Sequence, residues 1–194
     1  MREMGLLRVL SYTWAAFGVY WLAVARGGTP DQTSESPIYR AVRLAILVIT
    51  FTLLFSDRTA TGILDRRFVP QFPAVEYSGF FLTLSGLAVA LWARIHLGQY
   101  WSDKVVLKAD HQLIQSGPYT YIRHPIYSGV LLGVAGTALL VGEWRGVLAF
   151  ALLLTNYAIK AKKEDRILSA RFSDQFQEHV RHAGFFSPRF RTRS

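Results

Sequence analysis

Three stretches of this chain run 17, 17 and 18 residues without a charged side chain: Val9–Ala25, Tyr77–Ala93 and Pro125–Gly142. Each approaches the roughly 20 apolar residues that carry a helix across a bilayer. Two shorter runs, Leu44–Ser56 and Gly146–Ile159, reach that length only with help at their ends. Arg40 and Arg43 would sit at the mouth of the first and snorkel outward. Trp144 and Arg145 would mark one interface of the second, and Lys160 the other. Charged residues make up 18% of the chain, against about 25% in soluble domains, and mean hydropathy is positive at +0.21. The expectation is an all-α integral membrane protein, multi-pass, with about five transmembrane helices in a single membrane domain, 1–194.

The first run admits a second reading, because Ala23-Val24-Ala25 resembles a signal-peptidase site behind Arg2 and Arg8. Its length exceeds the 7–15 residues of a signal-peptide core, and it carries Trp14, Phe17, Tyr20 and Trp21. A span is therefore preferred. Spans four and five are separated only by Gly142-Glu143-Trp144-Arg145-Gly146, which makes them a helical hairpin. Gly129, Gly133 and Gly136 lie near one face of span four, where small residues let helices approach closely. Beyond Lys160 the charges are interleaved with Ile167, Leu168, Phe172 and Phe176. That pattern predicts a C-terminal amphipathic helix along the membrane surface or folded back on the preceding loop.

With five spans the termini lie on opposite sides. Placing the C-terminus in the cytoplasm puts 16 Lys and Arg inside and 6 outside, as the positive-inside rule requires. The N-terminus is then external, and the Arg94–Arg123 loop and tail are cytoplasmic. The basic excess, 22 Lys and Arg against 13 Asp and Glu, reflects those loops and an anionic lipid surface instead of nucleic acid. With no cysteine there is no disulfide or thiolate nucleophile. His96, His111 and His124 lack paired ligand spacing, and His179 and His182 lack an evident third ligand, so no metal is expected.

Polar chemistry concentrates in the second half. Gly117-Pro118 marks a turn, and Pro125 suits the first turn of span four. Arg123 and His124 then stand at a helix entrance, where free N–H groups favour an anion. Arg and Tyr are equally ordinary interfacial anchors. Asn156, Lys160 and Glu164 recur every four residues and stripe one face of span five. Such a stripe is costly in lipid unless it lines a cavity, and the hairpin would bring it near His124 and Tyr127.

The run from His111 through Arg123-His124-Pro125-Ile126-Tyr127-Ser128-Gly129, followed by Glu164-Asp165 and Phe172, resembles the isoprenylcysteine carboxyl methyltransferase family. It is similar also to the phospholipid methyltransferases and to the C-terminal part of the sterol reductases. The resemblance covers about residues 94–190. It implies S-adenosylmethionine as methyl donor, held on the cytosolic side under the C-terminal helix. It implies that His111, Gln112, Leu113 and Ile114 line the cofactor largely through backbone. Tyr119, His124, Pro125, Ile126 and Tyr127 would continue that wall, and Glu164 would take a polar or cationic group. Arg123 and Lys160, with Asn156 on the same stripe, would address the methyl acceptor. The acidic pair is Glu164-Asp165 where the family usually has two glutamates. Lys160 stands where eukaryotic members tend to carry arginine, so a point charge replaces a fork.

These implications divide the chain into three N-terminal spans, 1–95, and a cofactor-binding core, 96–194. The acceptor would be lipophilic, a lipidated or small molecule entering from membrane lipid, and a prenylated cysteine is one such molecule. The protein is expected to act as a monomer. A reductase using NADPH and a non-enzymatic scaffold or transporter are the alternatives.

Overall fold

The computed structural model of the protein describes residues 2–25, 36–98 and 113–190. Within them every named element is helical: α1 (Arg2–Ala25), α2 (Pro37–Phe55), α3 (Pro73–Leu97), α4 (Pro125–Val141) and α5 (Trp144–His182). Short 3-10 turns cover Asp57–Thr59 and Gly117–Thr120. Proline opens α2, α3 and α4, at the one position where a missing N–H is harmless. By length and apolar composition α2 and α3 can each cross a membrane, and α4 is a shorter apolar helix.

Contacts at the two ends of the bundle give an up-and-down order. Trp21, late in α1, packs with Ala93 and Leu97 of α3 and Ile126 of α4. At that same end Lys163 of α5 lies over the Tyr39 ring at the start of α2. At the opposite end Phe68 N–H donates to Gly142 O, and Trp144 N–H to Arg66 O. Consecutive helices therefore run in opposite directions. The first helix is part of the bundle: Leu10 and Trp14 are buried, and Trp14 Nε1 donates to Thr137 Oγ1 of α4 at 3.0 Å.

The closest packing is between α3 and α4, backbone against backbone. A Cβ at Gly86 would stand 2.4 Å from Gly133 N, and one at Gly136 would stand 2.5 Å from Thr83 N. Of the glycines expected to pack span four, Gly129 and Gly136 thus face α3, while a Cβ at Gly133 would meet the Trp14 ring of α1 at 3.0 Å. Gly86→Ala is expected to cost about 1–3 kcal/mol, the range for overpacking a filled core. Gly18→Ala, with nothing within 4 Å of the new methyl, should be neutral. Thermal unfolding in detergent separates the two.

Gly142, at φ 69°, ends α4 in the left-handed conformation that glycine adopts without strain. The chain then reverses, and Gly146 lets α5 close on Ala138, whose Cβ would lie 3.0 Å from an added methyl. α4 and α5 form the antiparallel pair that the short link predicts.

One arginine departs from the expected snorkelling. Arg40 is exposed, but Arg43 is buried in α2 beside the Tyr39 ring. Arg145 also turns inward: NH1 donates to Ser56 O at 2.9 Å and the head pairs with Glu143. A buried cation there is held by the carbonyls at the C-terminal end of α2, where the helix dipole is negative. α5 continues 23 residues past Ile159, to His182, with a break at Ser173 (φ 36°, ψ −106°). After the break Phe176 and His179 are buried, so this part of the chain folds back on the loop before α4.

Candidate functional site

The polar residues of α5 meet the entrance of α4 at the end of the bundle where α2 begins. Asp165 bridges two neighbours, accepting from Arg123 NH1 at 2.8 Å and from His124 Nε2 at 2.9 Å. Glu164 faces the other way. Tyr127 OH donates to its Oε1 at 2.6 Å, His124 Nδ1 lies 3.5 Å from Oε2, and Lys160 Nζ lies 3.9 Å from Oε1. The i, i+4 spacing of Lys160 and Glu164 places them on one helical face, and the buried Asn156 lies one turn deeper on that face.

Pro125 and Ile126 are buried in the first turn of α4. Ile126 packs with Ala93, Tyr119, Ile114 and Tyr127, and Tyr119 OH donates to Ala93 O. Leu113 is half-buried beside them in sequence. The structure therefore brings Ile114, Tyr119, Ile126 and Tyr127 together as one apolar-aromatic wall. Arg123, His124, Tyr127, Lys160 and Glu164 come together as one polar network. His111 and Gln112 lie outside the described residues.

Several participants were not singled out from sequence. Asp165, in sequence the second half of an acidic pair, holds both Arg123 and His124. Tyr157 stacks on Tyr127 at 4.7 Å between ring centroids. Phe185 and Phe186 close over His124, at 5.2 and 6.2 Å, in a strap tied down by Arg123 N–H to Gly184 O and Ser128 Oγ to Phe186 O. Their position 61 and 62 residues after His124 leaves no local signal. His179, which its i, i+3 spacing with His182 would put on an exposed face, is buried instead.

The electrostatics follow from this geometry. A carboxylate only accepts, so carboxylates on both sides of the His124 ring favour its protonated form. Burial opposes the charge on His124, but its hydrogen bonds to Asp165 and Glu164, with their charges, outweigh that and raise its pKa. Burial likewise pushes Glu164 up, and the His124 bond and the Lys160 charge outweigh it, holding its carboxyl below the ordinary range. Burial, and then the Glu164 charge, pushes the Tyr119 phenol up. His179 is held low by burial and by Arg123.

A raised histidine contributes stability below its unfolded pKa of 6.5 and loses it as pH climbs through the folded value. A depressed carboxyl contributes above its unfolded pKa of 4.5 and loses it as pH falls through the folded value. His179 works in the opposite sense to His124, so the two must be separated. The stability advantage of wild type over His124→Asn should be greatest between these limits and shrink as pH rises above 6.5. Melting temperatures across pH 4 to 9 (about the usable range for this linkage) check it; an advantage that grows with pH would contradict the network.

A carboxylate set among aromatic faces can hold a cationic group, while the neighbouring Lys160 can orient an anionic one. Among the described residues no group of three or more His, Asp or Glu side chains is arranged to hold a metal ion.

Comparison with known proteins places this site in context. Residues 79–170 match the isoprenylcysteine carboxyl methyltransferase family, and the whole polar network lies inside that segment. The protein-S-isoprenylcysteine O-methyltransferase of Schizosaccharomyces pombe is 32% identical over 45% of this chain and 38% of its own length. A cobalt-zinc-cadmium resistance protein of Cupriavidus metallidurans is 34% identical over 58% of this chain and 51% of its own. A probable protein-S-isoprenylcysteine O-methyltransferase of Oryza sativa is 25% identical over 85% of this chain and 86% of its own. The solved eukaryotic intramembrane Ras methyltransferase, isoprenylcysteine carboxyl methyltransferase, shares the fold at TM-score 0.50 and 19% identity, covering 80% of this chain and 53% of that one. The chain thus spans 38% and 51% of the first two relatives' length. Residues 79–170 thus resemble the isoprenylcysteine carboxyl methyltransferase family, and the helical bundle shares its fold with a solved protein of that name.

Proposed function

We propose that this protein is an S-adenosylmethionine-dependent membrane methyltransferase acting on a lipophilic acceptor, with the carboxylate of a prenylated cysteine as the acceptor group that fits best. The observation that carries this reading is Glu164, 21% exposed, set beside Tyr127, His124 and Lys160 within the family-matched segment. S-adenosylmethionine has cationic groups and an aromatic base, and a carboxylate beside tyrosine faces suits both. Glu164 would take a polar or cationic group of the cofactor. The wall from His111 to Ile114, with Tyr119, His124, Pro125, Ile126 and Tyr127, would hold the rest. When bound, the cofactor supplies a methyl group that is already activated. The protein's part is then placement and charge.

Lys160 would orient the acceptor carboxylate. Arg123, whose Nε has no hydrogen-bond partner among the described residues, keeps a donor for the same purpose. Asn156 deepens the polar face along which an acceptor would enter sideways from lipid. The catalytic core is residues 96–194, and residues 1–95 supply the remaining spans. Five spans with the site and C-terminus cytoplasmic follow from the 16-to-6 distribution of Lys and Arg. Reporter fusions at Ser194 and in the 142–146 link should lie on opposite sides of the membrane, and finding both on one side overturns that topology.

Thermal unfolding in detergent with S-adenosylhomocysteine, with NADPH, and with neither tests the function. Stabilisation by S-adenosylhomocysteine alone is the expected result. Stabilisation by NADPH alone would favour the reductase, and none by either would leave a scaffold. A methyl-transfer assay over an acceptor chain-length series tests lateral entry. Each buried CH₂ is worth about 0.8 kcal/mol, so KM should rise about fourfold per methylene removed. A water-soluble acceptor turned over as well as its lipidated analogue would defeat that route.

A further inference from the structure

Arg43 belongs to a helix outside the family-matched segment, and nothing above gives it a task. It lies seven residues into α2, a helix apolar enough to span a bilayer, and it is 9% exposed. Arg40, one turn earlier, is exposed, so α2 can send an arginine to water and does not do so with Arg43. An arginine turned into the interior of a membrane bundle marks a polar cavity or pathway by default.

The register of α2 against α5 says where that interior is. Lys163 Nζ sits 3.2 Å from the centre of the Tyr39 ring, which fixes Tyr39 level with Lys163. The two helices run antiparallel, so four residues further along α2 is one turn deeper, as is three residues back along α5. Arg43 is thereby level with Lys160. Lys160 Nζ is 5.5 Å from the Tyr127 centroid, which puts that ring at the same level. Tyr127 and Tyr157 supply an aromatic floor, and Glu164 borders it.

Resting on the methyltransferase reading above, we infer that Arg43 is a specificity-determining residue of the acceptor site, forming with Lys160 a two-cation clamp that selects an apolar molecule ending in a carboxylate. The two cations complement one another. Lys160 is a point charge on a flexible stem, whereas the guanidinium of Arg43 offers the planar fork that matches a carboxylate. Its Tyr39 neighbour, 5.6 Å from ring centre to guanidinium carbon, holds that fork from behind. The clamp draws one member from each of two helices, α2 and α5, that pack against each other beside the site. An acceptor entering between them meets both charges together.

The test compares N-acetyl-S-farnesylcysteine with its carboxamide as ligands, each titrated into detergent-solubilised protein saturated with S-adenosylhomocysteine. The carboxylate is expected to bind wild type at least tenfold more tightly than the amide. Arg43→Gln should reduce that preference to threefold or less while leaving the S-adenosylhomocysteine thermal shift in place. An unchanged preference, or an equal loss for both ligands, overturns the clamp and makes Arg43 a packing residue. If Arg43→Gln does not fold, Arg43→Lys decides instead: the preference should fall severalfold with loss of the fork, and an undiminished preference refutes the inference. Wild type with an S-adenosylhomocysteine shift and no carboxylate preference also refutes it, leaving the methyltransferase reading intact. Wild type with no such shift removes that reading itself.

Discussion

Lys160→Ala is expected to lower kcat/KM for a carboxylate acceptor by about 10²–10³, the loss measured when one preorganised electrostatic group is removed from a reacting site. Affinity for S-adenosylhomocysteine should fall only a few-fold, because Glu164 keeps its bonds to Tyr127 and His124 without the lysine. Lys160 is buried at 6% exposure, so its charge acts through a poorly screened medium and not through water. Lys160→Arg restores the charge with a broader head and should recover most of the activity. Methyl-transfer kinetics on all three proteins, alongside cofactor titration, separate acceptor placement from folding. Acceptor kinetics that survive in Lys160→Ala would take this residue out of the site.

Glu164→Gln is expected to weaken S-adenosylhomocysteine binding by about 1–3 kcal/mol, the cost of a lost buried polar partner, or roughly 5- to 150-fold. Glutamine keeps the size and still accepts from Tyr127, but it cannot neutralise Lys160 or the Nδ1 side of His124. Alanine would be a poorer probe, since it strands two buried cations and destabilises the fold itself. Asp165→Asn makes the contrast. Its oxygens face Arg123 and His124, so the expected effect is lower thermal stability with a smaller change in cofactor affinity. Equal losses of cofactor affinity at the two positions would mean that the acidic pair acts as one structural unit. His179→Ala serves as a third point: buried on the Arg123 and Asp165 side of the network, it should cost stability without selectively reducing binding.

Much of this was legible in the chain before any coordinates. Charge-free runs of 17 and 18 residues dictate apolar helices, because lipid allows few other ways to satisfy the backbone. The short link Gly142-Glu143-Trp144-Arg145-Gly146 dictates that α4 and α5 run antiparallel. The i, i+4 repeat of Asn156, Lys160 and Glu164 needs only helical geometry to share a face, and the proline after His124 sets the entrance of α4. These are local properties of covalent geometry and periodicity, which is why a linear reading recovers them.

The tertiary structure decided what local periodicity cannot carry. Which way Arg43 and Arg145 point depends on what stands opposite them: the interior beside Tyr39 for one, the carbonyl end of α2 for the other. Only packing brought a strap from residues 184–186 over His124, so the aromatic cover of the site has no trace in the pattern around the Arg-His-Pro turn. Glu164 and Asp165 look interchangeable as neighbours in sequence. One step along a helix rotates a side chain by about 100°, and that rotation turns one carboxylate to the tyrosine wall and the other to Arg123. Glycines 129, 133 and 136 announced close helix packing, yet only the arrangement of the bundle chose α3 and its Gly86 as the partner surface, because the smallest interhelical distance is available only where both surfaces lack side chains.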